Sequence, residues 1–114
     1  MKYFTLEECI YSATAEVKGI DNTPNPEHKA NIIETVEALL DPLREAWEKY
    51  CHKKNLGRVG IHITSGYRCP ALNKAVGGSS TSAHCYGYAF DLVPTNNHII
   101  EFKHFCRDFL SNYK

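Results

Sequence analysis

Apolar residues recur at steps of three and four from Ile33 to Tyr50, through Val36, Leu39 or Leu40, Leu43 and Trp47. A helix turns once in about 3.6 residues, so this spacing lines them along one side and predicts a long amphipathic helix facing a core. Asn25 followed by Pro26 supplies its cap and first turn. Pro42 lies inside the pattern and removes a backbone donor, which predicts a kink near Ala38 to Asp41 or two consecutive helices; the periodicity on both sides favours the kink. Upstream, Thr5 and Glu8 form a capping box for a short helix running from Leu6 to near Thr14. Lys18 to Asn25 reads as turn. At the far end, Ile99, Phe102, Phe105 or Cys106, Phe109 and Tyr113 mark a closing helix that Asn96 or Asn97 can cap.

Two stretches alternate instead. Arg58 to Thr64 sets Val59, Ile61 and Ile63 against Gly60, His62 and Thr64. Tyr88 to Val93 sets Ala89, Asp91 and Val93 against Tyr88, Phe90 and Leu92, with Asp91 expected on the inward face. Between them, Pro70 opens a short helix through Leu72 and Val76, stopped by Gly77 and Gly78, and the loop Ser79 to Ala83 leads to His84. The order helix, helix, strand, helix, strand, helix is an α+β pattern. Two strands alone form a marginal sheet, so further pairing or helical cover is expected. No repeat, low-complexity tract or linker divides the chain, and residues 1–114 are expected to form one domain.

Composition narrows the function more by what it excludes. The 114 residues are 43% apolar, enough for one ordinary core. Thirteen basic residues balance thirteen acidic ones, so charge gives no reason to expect nucleic acid or an anionic membrane as partner. Glu7 and Glu8 interrupt the N-terminal stretch, which is neither a signal peptide nor a membrane-inserting span; as given, the chain reads as made in the cytoplasm without an export address. The five cysteines are odd in number, scattered and free of C-x-x-C pairs, which predicts reduced, mostly buried thiols. Cys85 adjoins His84 and is the one candidate for metal or redox chemistry, but neighbours in an extended segment point apart, and a structural thiol is the better reading.

The chemistry gathers between Ser65 and Asp91. An inward aspartate needs a partner, a hydrogen bond or a metal. His84 precedes Asp91 by seven residues, with Gly87 between them allowing a bend, so imidazole and carboxylate can meet at one ion. Such a pair suits zinc with a position left to water. On spacing alone, a solvated histidine and a structural aspartate fit as well. His62 falls on the polar face of its strand, and His98 and His104 on the start and exposed side of the last helix; none is expected to be a ligand.

Read whole, Ser65-Gly66-Tyr67-Arg68, then Asn73 and Ala75, then Gly77-Gly78, then Ser82, His84, Gly87, Ala89 and Asp91, closely resembles the zinc-dependent D-alanyl-D-alanine carboxypeptidase family of bacterial and phage peptidoglycan peptidases. Phe4-Thr5-Leu6, the NTPNP turn and Asp41-Pro42-Leu43-Arg44 extend the resemblance over nearly the whole chain. It implies a hedgehog/DD-peptidase fold with helices on a small antiparallel sheet, zinc as cofactor, and hydrolysis of peptidoglycan stem peptides by a carboxypeptidase or endopeptidase. His84 and Asp91 are implied as zinc ligands. Arg68 is implied to bind the substrate carboxylate or carbonyl, and Ser82 to line and shape the metal loop. Members of the family continue past a helix like the last one here into strands that carry a third histidine ligand and a catalytic acid. No position here matches that segment, so a domain lacking its C-terminal strands and impaired in this form is expected. A non-catalytic module that keeps the fold to bind cell-wall peptides or a protein is the rival reading. A third is a homo-oligomer whose neighbour completes the site through an exposed sheet edge.

Overall fold

A computed structural model describes residues 1–112, so Tyr113 of the expected final stripe lies outside the described residues. The architecture is α+β: among the described residues, six α-helices surround a two-stranded antiparallel sheet. Helix α1 spans Leu6–Ile10 and has the full capping box, Thr5 accepting from the Glu8 N–H and Glu8 reaching back to the Thr5 N–H. It stops at Ile10, earlier than expected. Ser12 caps a separate helix, α2, at Ala13–Lys18, and the chain turns at Gly19 in the left-handed region.

Helix α3 spans Pro26–Thr35 under an Asn25 cap, and α4 spans Asp41–Lys54. Between them, Val36–Leu40 winds as a π-helical turn that ends with the Asp41 N–H bonded to the Val36 carbonyl. Pro42 has no N–H for the Ala38 carbonyl, so α pairing fails there and a wider turn takes up the mismatch. The expected kink is therefore a π turn. It also moves the buried stripe: Ile32, Val36, Leu40, Leu43, Trp47 and Cys51 are buried, whereas Ile33 and Tyr50 are only partly so. In an α-helix a step of four overshoots one turn; across the wider turn it falls short, and the two offsets keep a four-residue spacing on one face.

Strand β1 is Ile61–Ser65 and β2 is Asp91–Pro94, both shorter than the alternation suggested. Ile61 pairs with Pro94 and Ile63 with Leu92, and a bulge between Ile63 and Ser65 brings Ser65 opposite Asp91. Ile61 and Ile63 are buried, while Phe90 and Leu92 pack on the core from β2's side. This register corrects the face assigned to β2. The inward set is Phe90 and Leu92, and the Asp91 side chain is 63% exposed. Helix α5 spans Pro70–Ala75, and a 3₁₀ turn covers Ala83–Tyr86.

Helix α6, Ile99–Asn112, follows a turn in which Asn96 accepts from the His98 N–H. Its Phe102 is buried edge-on against Trp47, with ring centroids 5.0 Å apart, and Phe105 lies 5.2 Å from the same indole. Ile99, expected inside, is exposed. The helices thus supply the cover that two strands need, and Trp47 joins α4 to α6. All five cysteines are free. No helix among the described residues is long and apolar enough to cross a membrane.

Candidate metal centre

Strand β1 ends in Ser65-Gly66-Tyr67-Arg68, and the backbone of this segment is fastened on two sides. The Tyr67 N–H donates to the Cys9 carbonyl at 2.8 Å, which ties it to α1. The Arg68 N–H donates to the His84 carbonyl at 3.0 Å, which ties it to the 3₁₀ turn. Gly66 has to be glycine because a Cβ there would lie 2.2 Å from the Cys9 carbonyl oxygen. Close approach, and not an unusual φ, sets that requirement.

His84 is held in one orientation. Its Nδ1 lies 2.8 Å from the Gly66 carbonyl oxygen, which can only accept, so Nδ1 carries a proton and the neutral ring has its lone pair on Nε2. Nε2 lies 3.5 Å from Asp91 Oδ2. The imidazole side chain is only 12% exposed, while the carboxylate reaches it from the solvent side of β2. The bulge at Thr64 and Ser65 shapes this meeting point, and the Thr64 hydroxyl donates to the Asp91 carbonyl at 3.1 Å. Ser82 is the cap of the 3₁₀ turn, its Oγ accepting from the His84 N–H at 3.2 Å. Beneath the turn, Asn31 and Thr35 of α3 donate to the Tyr86 and Gly87 carbonyls. Gly87 sits at φ +87°, and a Cβ there would meet Ile32 at 2.8 Å.

Arg68 adjoins the pair through its backbone and lines a cleft of about 270 Å³ with Tyr11, Ser12, Thr14, Ser65 and Val76. Its Nε is buried without a hydrogen-bond partner, and among the described residues no carboxylate lies within ion-pair distance of its guanidinium. Asn22 was not singled out from the sequence. It is buried, donates to the Ile10 and Tyr67 carbonyls at 2.8 and 2.9 Å, and accepts from the Cys69 N–H at 2.7 Å. No periodicity marks a residue of this kind inside a polar turn. A second, more apolar groove of about 510 Å³ runs from Asp91 along Tyr88 and Phe90 to Leu39 and Phe102.

The chain matches a family model described as Peptidase M15 over residues 2–112. It belongs to the peptidase M15 family. A curated relative, the zinc D-Ala-D-Ala carboxypeptidase of Streptomyces albus G, is 30% identical over 71 residues, covering 62% of this chain and 28% of the relative. The match therefore spans less than a third of that protein's length. No solved structure matches the chain. The zinc in the relative's name invites a comparison with the donors present. An imidazole Nε2 whose ring is fixed by a carbonyl behind it, facing a carboxylate oxygen, is a donor pair that zinc accepts. The pair fits as two ligands of an M15 zinc site. Among the described residues, no group of three or more His, Cys, Asp and Glu side chains is placed to hold a metal ion. His62, His98 and His104 are all exposed and stand outside the pair.

Proposed function

We propose that the chain carries the metal-site portion of a zinc peptidase that hydrolyses peptide bonds in peptidoglycan stem peptides, as a D-Ala-D-Ala carboxypeptidase or a related endopeptidase, on a hedgehog/DD-peptidase fold. The observation that carries this reading is the His84–Asp91 pair, with Nδ1 bound to Gly66 and Nε2 facing the carboxylate at 3.5 Å. His84 and Asp91 would hold zinc, which when bound polarises a carbonyl and lowers the pKa of a bound water. The Gly66 carbonyl keeps the imidazole in the tautomer that can ligate. Arg68, which has no acidic partner among the described residues, binds the substrate's carboxylate or carbonyl with a fork of donors whose charge none of those residues cancels. Ser82 shapes the loop by capping the turn that presents His84.

A second reading has its own support. With two donors in place and no third among the described residues, the fold can serve as a non-catalytic module that binds cell-wall peptides or a protein partner. Calorimetric zinc titration of the wild type, His84→Ala and Asp91→Ala, followed by assay of D-alanine release from a D-Ala-D-Ala peptide, separates the two. The metallopeptidase reading expects zinc binding that each substitution weakens at least about tenfold, in line with loss of one ligand. Zinc affinity indifferent to both substitutions would refute the metal site; zinc-dependent binding of the peptide without D-alanine release would favour the module.

A further inference from the structure

Building on the reading of Arg68 as the group that meets the substrate carboxylate, we propose that Asn22 is the positioning residue for that arginine, fixing the chain on both sides of it while leaving its charge uncancelled. An arginine near a binding site is usually steered by a carboxylate, and the same carboxylate neutralises it. Arg68 has no such partner among the described residues, and its Nε is buried without a hydrogen bond. Its direction has to come from the backbone. The backbone groups flanking it are the ones Asn22 holds: the Tyr67 carbonyl accepts from Nδ2 at 2.9 Å, and the Cys69 N–H donates to Oδ1 at 2.7 Å. The other Nδ2 bond, to Ile10 at 2.8 Å, anchors this clamp to the end of α1 beside the cleft that Arg68 lines.

A carboxamide suits the task as few side chains do. It donates twice, accepts at the same time and carries no charge, so three backbone groups are satisfied in a buried place without a counter-ion for Arg68. An aspartate of the same size could accept but not donate, and would set a negative charge beside the guanidinium. Asn22 is itself set by its neighbours: Asp21 Oδ1 accepts from the Thr23 N–H at 3.0 Å and from the Thr23 hydroxyl at 2.6 Å, closing a turn around it. The ligand class that follows is a peptide ending in a free carboxylate.

The test compares binding of an N-acetylated D-Ala-D-Ala peptide with its C-terminal amide by calorimetry, in zinc-loaded wild type, Asn22→Ala, Asn22→Asp and Arg68→Ala. The wild type is expected to prefer the carboxylate at least about tenfold, a difference of about 1.4 kcal/mol. Asn22→Ala should reduce the preference to below about threefold, and Asn22→Ala combined with Arg68→Ala should lose no more than Arg68→Ala alone. General loosening weakens both peptides alike and leaves the ratio intact, which would overturn the proposal. A ligand-free readout runs beside it: hydrogen exchange at the Arg68 N–H, which bonds to His84 and not to Asn22, should speed at least about tenfold in Asn22→Ala. An unchanged rate overturns the clamp. A fast rate without any carboxylate preference in the wild type keeps the clamp and removes the carboxylate role of Arg68. Should Asn22→Ala fail to fold, Asn22→Asp, which keeps the size and the Cys69 acceptor but loses both donations, is read by exchange at the Arg68 N–H alone, since its charge by itself would lower the carboxylate preference; an unchanged rate there overturns the clamp as well.

Discussion

Replacing Gly66 with alanine tests the link between the scaffold and the metal pair. The new Cβ would lie 2.2 Å from the Cys9 carbonyl oxygen and 3.2 Å from Phe90 Cδ1. Relief requires α1 and the end of β1 to part by about 1 Å, and overpacking of that kind costs about 1–3 kcal/mol. The same Cys9 oxygen accepts the Tyr67 N–H at 2.8 Å, and opening the gap forfeits that bond, for about 1 kcal/mol more. A total near 3 kcal/mol corresponds to a fall in Tm of ~15 °C for a domain of this size. Gly66 also presents the carbonyl that fixes His84 Nδ1, so zinc affinity should fall about 10- to 100-fold. Thermal denaturation followed by circular dichroism, paired with zinc titration below the transition, measures both effects. A Tm within about 3 °C of wild type would show that the contact yields freely and that the steric reasoning is wrong. A lowered Tm with unchanged zinc affinity would instead refute the orienting role of the carbonyl.

Burial, with smaller contributions from Glu8, Asp41 and Glu7, pushes the Cys9 thiol up to about 12 from its ordinary 9.0. In the unfolded chain it ionises first, so the stability it confers is complete below pH 9 and declines towards pH 12. By linkage this amounts to about 2 kcal/mol lost by about pH 10.5, read as a steeper alkaline fall in urea-unfolding free energy for wild type than for Cys9→Ala; parallel curves would count against it. Asp41 is buried, and its carboxylate accepts from the Lys2 and Tyr3 N–H groups at 2.8 and 3.1 Å. Asp41→Ala should cost about 2 kcal/mol in denaturant unfolding and release the N-terminal strap, with faster exchange at those two amides.

Local chemistry was the most legible part of the sequence. Thr5 with Glu8, Asn25 with Pro26, and Pro70 with Gly77 each identify an element end, because caps and breakers act through their immediate neighbours. The break between α1 and α2 was missed because the apolar pattern runs across it, while Ser12, an adequate cap, restarts the helix. The face of β2 was misjudged for a different reason. Alternation fixes two faces but not which is inward, and the choice fell to the register with the partner strand, where buried Ile63 lies opposite Leu92, which no pattern in Tyr88 to Val93 encodes. His84 and Asp91 could be named in advance, yet the reason given for Asp91, burial, does not hold: it approaches His84 from the exposed side. Asn22 and the Gly66 carbonyl act through backbone groups of distant segments, and such contacts leave no spacing to read.

The π turn at Val36–Leu40 also determines where this chain tolerates a change of length. Loss of the exposed Ala38 would remove the residue that widens the turn, Pro42 still costing one α bond as any proline within a helix does, and would leave Ile32, Val36, Leu40, Leu43 and Trp47 spaced four, three, three and four apart, still a single apolar stripe. The same loss one turn into α4 would swing every later side chain by about 100° and drive Trp47 out of its place between α4 and α6. The molecule's longest helical run therefore contains one joint where a codon can be lost without disturbing what lies beyond it.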